Sequence, residues 1–328
     1  MKILVTGATG FLGKRIVQKL IENKNYEVLA TGRNEKAIKE LNMLNIKTFQ
    51  GSLEDENFVN KIGEGLDLIV HSAALSSPWG KYEEFYNANV LSTKNIIYSA
   101  KKNNIKRIVN ISTPSIYFDY TDRFDIKENF LPNKFVNFYA QTKYEAEKIM
   151  SQANNNNLET ISLRPRAIIG AGDTTIMPRL LKAQQEGKLK IIGSGENIVD
   201  VSSAANVVEA VELSIKASKD AMGESYNITN GTPVKLWWLI EEVLSKLGYK
   251  LNKNKIPFEV GYTVAKILET KAKFSRDYKE PVLTCYGIGI LAKSMTMNID
   301  KAKNKLEYNP IQTTEETIDE FINWWKNK

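Results

Sequence analysis

Ile3-Leu4-Val5-Thr6-Gly7-Ala8-Thr9-Gly10-Phe11-Leu12-Gly13 is the stretch that decides the fold. Ile3, Leu4 and Val5 make an apolar run long enough for a strand buried on both faces. Three glycines at intervals of three follow at once, and then a helical pattern. Leu12, Ile16 and Leu20 recur every four residues, with Val17 and Ile21 beside them on the same face. Strand, glycine turn and helix N-terminus together form an anion site. Gly7 allows the tight turn, Gly10 lets the backbone approach a pyrophosphate, and Gly13 lets helix and strand pack closely. Thr9, Phe11 and Leu12 belong to the same turn and are read with it as cofactor-binding. A bare three-glycine pattern says little; between a buried strand and an amphipathic helix it predicts a dinucleotide site.

The rest of the chain is consistent with that start. Its 328 residues are enough for a full core and for two lobes, and 42% hydrophobic with 25% charged residues is ordinary globular composition. Residues 1–13 lack a signal-peptide layout, and no apolar run approaches the roughly 18 residues of a membrane helix. A cytoplasmic protein with no integral membrane segment is expected. The single cysteine, Cys285, excludes an internal disulfide and fits a reducing compartment. The single histidine, His71, cannot supply a histidine-based metal site or a Ser/His/Asp triad without partners the chain lacks, so no metal is expected. The net charge of +7 is spread over many helix faces alongside 38 acidic residues, and no basic block carries interleaved aromatics. It reads as a lysine-rich solvated surface, with a small molecule rather than nucleic acid as partner.

In chain order, Glu27–Thr31 reads as the second strand, Ile46–Phe49 as the third, Leu66–Val70 as the fourth and Arg107–Ile111 as the fifth, with helices between them. That alternation implies an α/β fold, a doubly wound parallel sheet with its ligand crevice at the carboxyl ends of the strands. Where dinucleotide folds usually end the second strand in an acid, this chain has Gly32 and then Arg33. The missing carboxylate removes repulsion against a 2′-phosphate and the guanidinium offers it a bidentate partner, which favours NADP(H) over NAD(H). Alternatively, Arg33 only stacks on adenine and both cofactors bind. Ser52 and Leu53 follow the third strand where an adenine edge is read, and Ala73 and Ala74 follow the fourth, small enough for backbone to lie along the cofactor. His71, at a buried strand end, reads as a hydrogen-bonded core residue. A helix starts near Tyr82 and carries Asn89 to Asn95. Glu159–Leu163 adds a sixth strand, followed by Arg164-Pro165-Arg166. A smaller α/β substrate lobe then spans 166–328, against a dinucleotide-binding domain of 1–165. Asp200 to Ala217 reads as a helix returning to the main domain, and Tyr226–Thr229 as its last strand, within a return segment of about 198–229. Residues 256–273 mix apolar residues with Lys266, Lys271 and Lys273, a pattern suited to a membrane surface or, more commonly, to a flap over the substrate.

Tyr139 and Lys143, four apart on a predicted helix, share one face. The ammonium can lower the phenol pKa from about 10 and reach the ribose of a bound nicotinamide. With the Thr113 hydroxyl holding the substrate oxygen, Tyr139 donates a proton to a carbonyl as hydride arrives, or accepts one in the reverse direction.

Taken together, Thr6–Gly13, His71-Ser72-Ala73-Ala74, Asn89, Ser112-Thr113, Tyr139 to Lys143 and Arg164-Pro165 closely resemble the extended short-chain dehydrogenase/reductase family, also called the NAD-dependent epimerase/dehydratase family. The resemblance runs over nearly the whole chain. Leu306–Pro310 is similar to the family's closing motif, with Glu307 where glycine is usual. It implies that Tyr139 is the acid/base, Lys143 its partner and Thr113 the third member, with Ser112 a lesser candidate, and that Asn89 and Pro165 belong to the cofactor site. Dimers built from two helices per subunit are common in the family, so a homodimer is expected. Pro114 and Ser115 stand where sugar dehydratases carry acids, and Val199-Asp200 where nucleotide-sugar epimerases carry an Arg-Asp pair, with Ala205 replacing a further acid and Arg179 a possible substitute for the arginine. The loop Leu75–Gly80 and Ser112–Ile116 look like the 3β-hydroxysteroid dehydrogenase branch, and within it the bacterial reductases of 2-alkyl-3-oxo acids. That implies a ketone/alcohol oxidoreductase on a moderately apolar, lipid-, keto-acid- or steroid-like substrate. Ser76, Trp79, Thr113 and Arg166 are its candidate contacts, Arg166 toward a carboxylate or else committed to an internal salt bridge. A nucleotide-sugar 4-epimerase is the alternative, and a dinucleotide-sensing regulator a more distant one that Tyr139 and Lys143 oppose.

Overall fold

Seven strands build the main sheet in the computed structural model, which describes residues 1–328. They are β1 (Lys2–Thr6), β2 (Glu27–Gly32), β3 (Lys47–Gln50), β4 (Leu68–His71), β5 (Arg107–Ile111), β6 (Glu159–Pro165) and β7 (Ser225–Ile228). All neighbours pair in parallel, in the order β3-β2-β1-β4-β5-β6-β7. Parallel strands need crossovers, and the crossovers lay helices on both faces. On one face α1 (Phe11–Leu20) and α3 (Ala204–Lys216) pack Ile16, Val17, Leu20, Val207 and Val211 against Ile3, Val5, Val70 and Leu163. On the other, Ile96, Ile97 and Met150 of α2 (Phe138–Ala153) and its neighbouring helix meet Leu4, Ile69 and Ile108. This is the doubly wound α/β sheet expected from the sequence, and its strand order reverses between β1 and β4.

A second core gathers Leu181, Ile191, Trp237, Ile240, Val243, Ile288 and Phe321 from the later chain. Beside it lies a four-stranded sheet of Val234–Lys235, Ile198–Val199, Met295–Met297 and Arg123–Ile126. One of those strands therefore comes from before residue 165, while Ile299, Ala302, Leu306 and Tyr308 return to the main core. Glu307 explains how they return. It ends the helix Asp300–Leu306 in the left-handed region, φ 55°, a conformation that glycine adopts most easily. Tyr308 is then buried with its hydroxyl donating to the Thr229 carbonyl at 2.8 Å, which ties the motif to the end of β7.

Asp200 does not start a helix. Ser203 is the cap, accepting the N–H groups of Ala205 and Asn206, while the Asp200 carboxylate accepts the Met297 N–H at 2.7 Å. The helix expected from Tyr82 runs over 82–102 but widens into a π-helical turn at Tyr86–Leu91, around Asn89. No helix is long and apolar enough to cross a membrane.

The switch between β1 and β4 is joined by side chains. Thr6 and His71 are register partners, and the Thr6 hydroxyl lies 2.9 Å from His71 Nδ1. Thr93 donates to the Asn89 carbonyl at 2.7 Å, so its oxygen accepts from His71 Nε2 at 3.2 Å, which fixes the Nε2–H tautomer. Thr6 in turn accepts the N–H groups of Ser72 and Ala73, each at 3.2 Å. Burial, reinforced by the nearby Lys143 charge, lowers the His71 pKa to about 3, so the ring stays neutral as a core residue.

Two measurements test this frame. A β-carbon on Gly13 would sit 2.2 Å from the Gly7 carbonyl oxygen, so Gly13→Ala is expected to lose about 1–3 kcal/mol of stability in urea denaturation. His71 is neutral when folded but takes a proton when unfolded below pH 6.5. Its contribution is complete above pH 6.5 and declines by about 1.4 kcal/mol per unit as pH falls toward about 3. The stability gap between the wild type and His71→Asn should therefore shrink by about 2 kcal/mol between pH 6.5 and pH 5; a gap that does not change with pH would show that the ring is not held neutral.

Candidate active site

A cavity of about 1050 Å³ runs along the carboxyl ends of the strands, between the main sheet and the later core. The glycine turn forms one end. Gly7 has φ +66°, and a β-carbon there would meet the Ala73 backbone at 2.8 Å, so only glycine lets β1 turn this close to β4. Gly10 caps α1 with no side chain bonded to the first turn, which leaves the helix N-terminus open to the cavity. Thr9, Phe11 and Leu12 line the same wall, as do Ser52, Leu53, Ala73, Ala74 and Pro165. A dinucleotide fits these residues: the cradle has no side chain where a pyrophosphate lies and leaves helix amides to bind it.

At the end of β2, the space a β-carbon on Gly32 would fill is taken by the Thr9 side chain, at 2.3 Å. An acid at that position is thus sterically excluded. Arg33 is exposed at the rim, its carbonyl held by Gln50 at 3.2 Å and its guanidinium free of any ion pair.

The catalytic candidates converge at the middle of the cavity. Asn137 caps α2 by accepting the Ala140 N–H at 2.8 Å, which starts the helix just before Tyr139. Thr113 caps the short turn Pro114–Tyr117 after β5, accepting the Ser115 N–H at 3.2 Å. Tyr139 lines the cavity beside Thr113 and Ser76. Burial raises the phenol pKa, and the two neighbouring hydroxyls only partly offset it. This corrects the expectation that Lys143 draws it down. The Lys143 ammonium instead donates to the Ile111 carbonyl at 2.7 Å, and burial lowers its own pKa to about 8 against the opposing pull of Glu147. Glu147, one turn further along α2, is itself buried and forked by Arg164, whose Nε lies 2.9 Å from it. Burial acts to raise the Glu147 pKa, but the hydrogen bonds and charge of Arg164 hold it below the usual carboxylate range. Ser112 contributes no hydroxyl contact; its Oγ is buried without a partner.

Two sequence candidates sit outside the cavity wall. Asn89 is buried, accepting the Leu75 N–H at 2.8 Å and donating to the Leu75 carbonyl at 3.3 Å and to Thr142 at 3.1 Å. It braces the loop after β4, so a cofactor contact is corrected to a supporting one. Trp79 turns away from the cavity and stacks on Tyr278, centroids 5.1 Å apart, its Nε1 donating to the Tyr278 carbonyl at 2.9 Å. Its neighbours Leu75 to Pro78 line the cavity in its place.

The flap expected at residues 256–273 is also displaced. That segment forms α4 (Phe258–Lys273), which lies off the cavity and exposes Val260, Val264 and Ile267. Glu280 to Thr284 and the following α5 (Cys285–Ala292) cover the site instead. Arg179, on the cavity wall, is paired with Glu280 at 3.0 Å, and both side chains are partly exposed. Arg166 is buried with no ion pair, its backbone N–H held by Ser202 at 2.9 Å; the alternative of an internal salt bridge is corrected. Tyr286 was missed by sequence reading. Its hydroxyl lies 2.8 Å from Ser115 Oγ, which accepts from Thr113 at 3.1 Å. No motif surrounds it, and only the fold brings residues 171 apart in sequence together.

Residues 4–259 match the model of the 3-beta hydroxysteroid dehydrogenase/isomerase family. The 2-alkyl-3-oxoalkanoate reductase of Stenotrophomonas maltophilia is 32% identical over 324 residues, covering 97% of each chain. The sterol-4-alpha-carboxylate 3-dehydrogenase, decarboxylating, of Mus musculus is 27% identical over 98% of this chain and 90% of its own. Among solved structures, a UDP-glucose 4-epimerase of Thermotoga maritima superposes with a TM-score of 0.77 at 23% identity, covering 100% of this chain and 99% of that one, a likeness of fold. This chain belongs to the 3-beta hydroxysteroid dehydrogenase/isomerase family and is a dehydrogenase/reductase of the extended short-chain type.

Proposed function

We propose that the chain interconverts a ketone and a secondary alcohol on a moderately apolar substrate, with NADP(H) as its preferred cofactor. One observation carries the reading: Tyr139, Thr113, Ser76 and Lys143 meet on the wall of the one cavity that the glycine turn opens into. A nicotinamide held in this cavity would supply or accept the hydride. Thr113 and Tyr139 hold the substrate oxygen, and Tyr139 moves the proton between its phenol and that oxygen. The raised phenol pKa keeps the proton in place until negative charge develops on the substrate oxygen, which suits the reducing direction. Lys143, with its pKa near 8, stays largely protonated at neutral pH, and from the cavity wall its ammonium would hold the cofactor ribose. The wall beyond Tyr139 is apolar, with Leu180, Leu189, Val282, Leu283 and Ile288. Relatives named for 2-alkyl-3-oxoalkanoates and sterol carboxylates support a substrate with a ketone or alcohol and a large apolar body. The epimerase reading is the weaker one, because the segment at Val199-Asp200 offers no cation to a diphosphate.

Arg33 at the rim and the filled space at Gly32 support a 2′-phosphate. A homodimer through helices 82–102 and 138–153 fits the exposed Tyr98 and Phe138 on those helices. A cytoplasmic location fits the free, buried Cys285.

Tyr139→Phe should bind NADPH as the wild type does and lose roughly 10²–10⁴-fold in turnover, since only the proton relay is removed. Undiminished turnover would end the role. Arg33→Ala should weaken NADPH by roughly tenfold or more while leaving NADH little changed, read by calorimetry. Equal losses would mean that Arg33 only stacks on the adenine.

A further inference from the structure

The helix α4 buries one side and leaves the other without a partner. Gly261, Ala265 and Ala272 face inward, and the approach to α5 is close enough that a β-carbon on Gly261 would meet Ile288 at 3.4 Å. The outward side is not the polar surface that such a helix usually presents to water. Val260, Val264 and Ile267 are 54%, 42% and 63% exposed, and Phe274, just past the helix end, is 88% exposed. With Lys271 they recur at spacings of four, three, four and three, which keeps them on one stripe. A contiguous exposed apolar stripe marks a surface that meets another apolar phase.

The charges beside the stripe indicate which phase. Lys266, Lys271, Lys273 and Arg276 are exposed and form no ion pair, whereas the neighbouring Lys279 has Asp277 at 3.4 Å. Of the acids on the helix, Glu269 accepts the Cys285 N–H at 2.8 Å, which leaves Glu259 at the far end. An isologous contact with a second copy would bring the cations of both chains into one interface, with only the two Glu259 carboxylates of the helices to offset them. A bilayer containing acidic lipids offers complementary chemistry instead: acyl chains for the stripe and phosphate headgroups for the cations at its side. Lys271, inside the stripe, keeps its charge at headgroup level by extending its stem.

The stripe is continuous in sequence with the cover of the cavity. After Phe274 the chain reaches Val282 and Leu283, which line the cavity and are still 74% and 38% exposed. Ile288, against which α4 packs, lines the cavity too. We infer that the outward face of α4, with Phe274 and Val282, is a docking surface for an anionic bilayer, the helix lying in the plane of the headgroups. Such a contact is peripheral, held by apolar burial and charge together, and therefore weakened by salt. It stands on this surface alone and does not rest on the ketone/alcohol reading.

The test is sedimentation of the full chain with vesicles of phosphatidylcholine alone and of phosphatidylcholine mixed equally with phosphatidylglycerol. The wild type should pellet with the mixed vesicles, bind the neutral ones roughly tenfold or more weakly, and lose binding as salt is raised. Ile267→Glu and Phe274→Glu, both at exposed positions, should each weaken binding roughly tenfold or more, since each removes apolar contact and adds a charge that the headgroups repel. Lys266→Gln combined with Lys273→Gln should cost roughly tenfold with the mixed vesicles and little with the neutral ones. Met43→Glu, at an apolar residue of the main domain that is 81% exposed, should change nothing. Melting curves check that each variant is folded, and sedimentation equilibrium without lipid reads the state of association. Pelleting with neither vesicle, equal binding to both, or binding that the α4 variants leave intact would each overturn the docking surface. So would a dimer that Ile267→Glu or Phe274→Glu dissociates, which would assign the stripe to a second copy of the chain.

Discussion

The close approach of β1 and β4 at the switch point is the constraint on which the site depends. Gly7 turns there with no room for a β-carbon against Ala73, and Thr6 bonds at once to His71 and to the two amides that follow it. The first contact brings the helix N-terminus to the cofactor side. The second fixes where the loop after β4 begins, and Asn89 fixes its next residue, Leu75. Ser76, the residue after Leu75, lines the same cavity as Tyr139. A neutral, buried histidine is suited to this role, since it can accept and donate along one line without bringing charge into the core.

Much of the main sheet was legible because its strands are buried on both faces and read as short apolar runs followed by small residues. Each strand-end signal, from Gly7 to Thr113, lies at the cavity as the parallel topology requires. Asn89 and Trp79 were misplaced for a common reason. A polar or aromatic residue near a ligand can hold the wall as readily as form it, and sequence spacing does not distinguish the two. Asn89 faces a backbone amide and Trp79 faces Tyr278. Tyr286 was invisible because its partner, Ser115, is 171 residues away.

The electrostatics of α2 show why a Tyr-x-x-x-Lys pattern is an incomplete description. The spacing puts phenol and ammonium on one face, but burial dominates both groups, raising one pKa and lowering the other. The lysine remains charged at neutral pH because Glu147 stands one turn further along the helix, and Glu147 stays ionised in the interior because Arg164 forks it. A carboxylate buried this deeply would otherwise take up a proton. The Arg164–Glu147 pair thus acts on the charge state of Lys143 from a distance, and a buried pair of this kind is weak evidence of a gain in stability.

The cover over the site ties substrate recognition to access. Trp79, from the loop after β4, stacks on Tyr278, and the chain then runs through Glu280 to Leu283 along the cavity wall before α5 delivers Tyr286. One continuous segment is therefore anchored at Trp79, gives the cavity the apolar surface of Val282 and Leu283, and ends in the Tyr286 hydroxyl 2.8 Å from Ser115. The same piece of chain thus sets both the outer wall of the cavity and the polar contact next to Thr113.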